Sequence, residues 1–328
     1  MTPDEDALIP WQVRAWRQPT FRWAAALVTA AALAGPIAWA TRAKPSTQNA
    51  ATEDAPAAPE VALPIAAPGK EELFARLEEP NPGEWLAKHR EPGQTLIQYM
   101  AAGPNRPTPE RSTIYLRAVG PWPEGSAEMD TLRDFAAAYF QIPVEIGAPL
   151  EEPGVRARTN EDTGKLQWRS DDLIEALQRE LPEDAFCVLG VTHVDLWPGD
   201  GWNYVFGQAS LRERTGIFSF ARHDDAFFGA STTPPALRLR RDVRVMTHEI
   251  GHMFTMQHCV AYQCNMNGSN SLAESDRQPM HLCPVCAQKL LDATGFDPAR
   301  RHEALGRLYE THGLTEEAGW TRQRVRSL

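Results

Sequence analysis

Three histidines and a glutamate stand close together at His248-Glu249-Ile250-Gly251-His252 and His258. His248 and His252 are four residues apart, so on an α-helix both imidazoles point from one face. Zinc takes imidazole nitrogens at about 2.0–2.1 Å and, in catalytic sites, keeps one position open for water. Two helical histidines leave it short of a ligand. His258, six residues after His252, supplies the third only if the helix ends and the chain turns back. Glu249 adjoins a ligand without needing to bind the metal, which suits it to act as general base on a zinc-bound water and to return the proton to a leaving amine. The chemistry expected is amide hydrolysis.

Four of the five cysteines follow at once. Cys259 and Cys264 are separated by four residues, Cys283 and Cys286 by two, and the pairs by eighteen. This spacing suits a closed tetrathiolate zinc site, structural because it leaves no position for water. Neighbouring residues of an extended chain face opposite ways, so His258 and Cys259 are expected to serve two separate zinc ions per chain. Two disulfides, or a redox-active Cys283-Pro284-Val285-Cys286, are the alternatives. Cys187 lies in the apolar run 185–189 and reads as buried strand core.

Taken together, His248-Glu249-x-x-His252, His258-Cys259, Cys264-x-Met266 and Cys283-x-x-Cys286 resemble the archaemetzincins, a metzincin-like family of zinc metallopeptidases. The text around Cys264–Ser271, His281–Cys286 and Gly207-Gln208-Ala209 agrees, and the resemblance extends over about residues 70–320. It implies a zinc-dependent peptidase or aminopeptidase-like enzyme acting on a peptide or protein. It also implies that Met266 packs beneath the zinc ligands. One position departs from the pattern: Thr255 stands where metzincins place a glycine to end the helix. A β-branched residue in left-handed backbone costs about 1–2 kcal/mol, so either the helix ends by a different turn or the site is strained. A zinc-stabilised binding protein with little turnover is therefore the rival reading.

The elements needed to position these groups read as a mixed α/β domain. Strands are expected at 112–119, 144–146, 187–194, 204–209 and 217–221. Helices are expected at 126–140, at 171–180 with Ser170 or Asp171 as cap, through the zinc motif, from Pro284 to a break at Gly295 and Pro298, and finally near 303–309. The resemblance implies an exposed strand that pairs with the substrate backbone, and 217–221 lies at the right point in the order for it. Tyr262 reads as packing, with oxyanion stabilisation second. His193, His223 and His281 are assigned no ligand role, with a position behind the cysteines held open for His281.

The 328 residues carry a net charge of −10, which argues against a nucleic-acid partner. The chain divides into a polar segment 1–22, an uncharged stretch Trp23–Ala40, a Pro/Ala-rich linker 41–69 and the peptidase domain 70–328. The uncharged stretch is long enough as a helix, about 27 Å, to reach across a bilayer. It reads as a membrane anchor of undetermined orientation; a cleaved signal sequence, giving an exported protein, is the alternative. Thiolate-bound zinc fits a reducing compartment more comfortably than an exported domain.

Overall fold

The computed structural model describes residues 73–122 and 128–328. The stretch 23–40 lies outside the described residues, and among those described no helix is long and apolar enough to cross a membrane.

A five-stranded sheet organises the domain, in the order β2-β1-β5-β8-β7. Its strands are β1 (Thr113–Ala118), β2 (Val144–Ile146), β5 (Ala185–Thr192), β7 (Gly207–Ala209) and β8 (Thr215–Ser219). The first four in that spatial order run parallel and β7 runs antiparallel along the edge. Every residue of β5 is buried because the sheet is covered on both faces, which is why this strand reads as a continuous apolar run. On one face Ala185 and Val188 pack with Leu173, Ile174 and Leu177 of α4 (Ser170–Arg179). On the other, Cys187, Leu189 and Val191 pack with α3 (Glu128–Phe140) and α5 (Pro235–Met253). Cys187 is wholly buried there, and burial pushes its thiol far above the ordinary value.

Three corrections follow. First, α4 begins at Ser170, with Arg169 at the cap position and no side-chain cap bond. Second, residues 217–219 belong to an interior strand paired on both sides, so no substrate can add to it. Residues 221–223 form a turn of 3₁₀ helix, and the edge strand on this side of the sheet is β7. Third, the C-terminal region holds three helices where two were expected: α7 (Pro284–Thr294), α8 (Pro298–Thr311) and α9 (Thr315–Ser327). The polar α9 carries little periodic apolar signal, and it is held by packing on α8.

A small second sheet escaped the sequence reading. It pairs β3 (Ala157–Thr159) antiparallel with β4 (Leu166–Arg169), and β4 parallel with β6 (Asp195–Trp197). Its strands are three or four residues long, too short for a pattern of period two to register. The short helices α1 (Trp85–Lys88), α2 (Leu96–Ala101) and α6 (Leu272–Arg277) were missed for the same reason.

Candidate metal centres

Helix α5 starts with Pro235 in its first turn, which suits proline because that N–H has no helical partner. From Arg241 onward every residue of α5 is buried, so His248, Glu249 and His252 lie at the inner end of a fully packed helix. Gly251 is required by what lies under it: a Cβ would stand 2.5 Å from Met266 Sδ. Met266, fully buried, thus packs directly beneath the turn that carries the histidines.

The helix ends in a paired-bond turn. Met256 N–H donates to Gly251 O at 3.4 Å and Thr255 N–H to His252 O at 2.8 Å, the two bonds of a Schellman motif. Thr255 adopts φ +69°, so it takes up the glycine conformation while retaining its β-branch. Its hydroxyl offsets the strain. Oγ1 accepts from Asn105 N–H at 3.0 Å in a half-buried bond and donates to Leu211 O at 3.1 Å in a buried one. Thr255 O accepts from Gln94 Nε2.

This turn brings His258 back to the helix. The ligand atoms of His248, His252 and His258 all lie within 4.8 Å of one another. Each ring is held through Nδ1: His248 on Asn265 O and His252 on Met256 O, both at 2.7 Å, and His258 on the Glu91 carboxylate at 2.9 and 3.0 Å. A carbonyl oxygen only accepts, so in His248 and His252 the proton sits on Nδ1 and the Nε2 lone pairs face inward. Those two nitrogens are 3.0 Å apart, near the roughly 3.3 Å that two imidazoles on one tetrahedral zinc would show. Burial first, then the neighbouring imidazoles, pushes the pKa of His252 down to about 3 and that of His248 well below its usual value. Two inward-facing lone pairs at this distance fit a shared metal cation.

Glu249 is buried beside this group. Burial pushes its carboxyl up to about 8, with Arg244 acting weakly the other way; a metal charge on the histidines would also act to lower it. Gly207 makes room for it, since a Cβ there would come within 2.6 Å of Glu249 Oε1. The edge strand β7 is thus in contact with the glutamate.

The cysteines form a second group, with sulfurs within 4.8 Å of one another. Cys259 Sγ and Cys283 Sγ are 3.8 Å apart and no cysteine is in a disulfide. Sulfurs at about 2.3 Å from one tetrahedral zinc stand about 3.8 Å apart, whereas a disulfide is about 2.05 Å. The spacing fits the metal. Backbone N–H groups of Cys283 and Met266 point at Cys264 Sγ, and that of Cys286 at Cys283 Sγ, which caps α7. Such donors favour thiolates. Asn267 staples the loop between the first pair, accepting from Cys264 N–H and donating to Cys259 O and Tyr262 O.

The chain direction at His258-Cys259 therefore sends adjacent side chains to different groups. Tyr262 lies beneath the Arg76 guanidinium, 4.1 Å from its ring centre, in a packing position. His281 stacks on Trp320 at 3.8 Å, His223 bonds Asp242, and His193 stands 3.2 Å from Glu128; none enters either group. Sequence reasoning missed Glu91 and Gln94. A single acid or amide more than 150 residues from the motif carries no local signal.

A helix-borne pair of histidines with an intervening glutamate and a third histidine after a turn defines a zinc metallopeptidase centre. The sequence comparisons are specific. Peptidase family M54 matches residues 153–292. Archaemetzincin-2 of Homo sapiens is 35% identical over 284 residues, covering 75% of this chain and 79% of that protein. Archaemetzincin-1 of Homo sapiens is 27% identical, over 68% of this chain and 51% of its own length. Among solved structures, archaemetzincin from Methanopyrus kandleri is 28% identical with a TM-score of 0.46, covering 58% of this chain and 99% of that one. The chain belongs to the archaemetzincins and is a zinc metallopeptidase.

Proposed function

We propose that the chain hydrolyses peptide bonds with Glu249 as general base, using one zinc on His248, His252 and His258 and a second, structural zinc on Cys259, Cys264, Cys283 and Cys286. The observation that carries this reading is the fixing of all three imidazoles through Nδ1, with the His248 and His252 Nε2 atoms 3.0 Å apart. Zinc, when bound, contributes Lewis acidity, lowering the pKa of water and polarising a carbonyl. The chain's own groups do the rest. Glu249 takes the proton from the attacking water and delivers it to the departing amine nitrogen, and its burial favours a carboxyl able to hold a proton between the two events.

The peptide lies along β7. Phe206 O and Ser210 N–H bond to β8, so in an antiparallel pair the N–H and C=O groups of Gly207 and Ala209 face outward. A substrate strand can pair there beside Glu249. Substrates N-methylated next to the scissile bond should show raised KM if this is right. Residues 23–40 would tether the enzyme to a membrane.

The first test is zinc content of the full-length chain in wild type and in His248→Ala/His252→Ala, together with Glu249→Gln. Two zinc ions falling to one would support separate sites. Glu249→Gln should retain both while peptide hydrolysis drops about 10²–10⁴-fold. Unchanged turnover in that variant would sink the general-base role. No turnover in wild type with both sites loaded would favour a binding protein.

A further inference from the structure

Two of the three imidazoles are held by backbone carbonyls of the motif's own loops, Asn265 O and Met256 O. His258 is held differently, by a side-chain carboxylate 167 residues earlier in the chain. Glu91 lies in segment 73–95, outside the residues that match the M54 family. Its side chain is 5% exposed and both oxygens contact His258 Nδ1, at 2.9 and 3.0 Å. Trp85 Nε1–H donates to Glu91 Oε1 at 3.0 Å, and the Trp85 ring meets His258 edge-on at 5.2 Å.

The segment is attached around the loop that carries His258. Leu77 N–H bonds Ala261 O and Gln263 N–H bonds Ala75 O. Gln94 donates to Thr255 O and accepts from Gln257 N–H, and Lys289 Nζ holds Gln94 O. Trp85 N–H is tied to Glu274. These bonds bracket residues 255–263 and set the Glu91 carboxylate against the histidine.

We propose that Glu91 is a positioning residue for the metal centre: its carboxylate fixes the ring and tautomer of His258, so that residues 73–95, ahead of the stretch that matches the M54 family, complete the histidine site. A carboxylate behind a ligating imidazole characteristically governs metal affinity, by about 10–100-fold on mutation. The inference rests on the zinc reading above. Packing alone would be preserved by an amide of the same shape, whereas the charge would not.

The test is zinc competition with a graded chelator on the full-length chain, comparing wild type with Glu91→Gln and Trp85→Phe. Thermal unfolding of each variant without added zinc is recorded alongside. Glu91→Gln should weaken the zinc lost in His248→Ala/His252→Ala by about 10–100-fold, leaving the cysteine-bound zinc and the zinc-free transition unchanged. Trp85→Phe, which keeps an aromatic ring and removes the donor to Glu91, should weaken the same zinc to a smaller degree. This second variant serves if Glu91→Gln does not fold. Zinc affinity within about twofold of wild type in folded Glu91→Gln overturns the proposal, since loss of a ligand-supporting carboxylate exceeds that; if that variant does not fold, unchanged affinity in Trp85→Phe overturns it. No histidine-dependent zinc in wild type would instead defeat the zinc reading itself.

Discussion

Thr255 sets strain against hydrogen bonding at one residue, and substitution separates the two. Its φ of +69° costs a β-branched residue about 1–2 kcal/mol, which Thr255→Gly removes. The same change deletes the Oγ1 bonds to Asn105 N–H and Leu211 O, each contributing about 0.5–1.5 kcal/mol. It also loosens the unfolded chain, adding a penalty of about 0.5–1 kcal/mol. The balance is a net destabilisation of about 1 kcal/mol, so the motif glycine should be no improvement here. Thr255→Ala keeps a Cβ in left-handed backbone and loses both bonds, so it should cost about 1–3 kcal/mol. Thr255→Ser retains the hydroxyl and relieves part of the crowding, so it should match wild type. Thermal unfolding at saturating zinc reads the order Ser and Thr, then Gly, then Ala, with about 2–4 °C per kcal/mol in a domain of this size. A glycine variant melting above wild type by 2 °C or more, against that scale, would show that strain outweighs the hydroxyl bonds and refute the reasoning.

Gly207→Ala should abolish most peptide hydrolysis with zinc content unchanged, because the new Cβ would stand 2.6 Å from Glu249 Oε1 and the carboxylate must move; a steady-state assay beside metal analysis checks it. Cys264→Ser should lose one zinc ion and melt far earlier than wild type, since metal binding at such a site is folding energy; calorimetry with metal analysis decides. Arg244 is buried on α5 with its guanidinium on Ser275, Asn267 O and Gln278. Burial lowers its pKa to about 10. A tetrathiolate zinc carries a net charge of about −2, which a nearby cation offsets, so Arg244→Met should release cysteine-bound zinc at chelator concentrations that wild type withstands. Retention equal to wild type would count against that electrostatic role.

The histidine and cysteine groups were legible in the sequence because their geometry is local. A four-residue helical spacing puts His248 and His252 on one face whatever surrounds them, and alternation sends His258 and Cys259 apart. The central strand was legible too, since burial on both faces leaves a run of apolar residues from 185 to 189. The parts that failed are non-local. Whether Ile217 lies at an edge or in the interior depends on β7 folding back against β8, a pairing that no periodicity within either strand encodes. The turn at Thr255 could not be chosen from sequence because its strain is offset by Asn105 and Leu211, residues remote in the chain. Glu91 and Gly207 show the same limit. A carboxylate becomes a support for His258, and a glycine becomes the space for Glu249, only when tertiary packing brings separate segments within hydrogen-bonding or van der Waals distance. Sequence by itself determined which metal-binding types of side chain stand at ligand spacing; the tertiary structure decided what holds each of them in place.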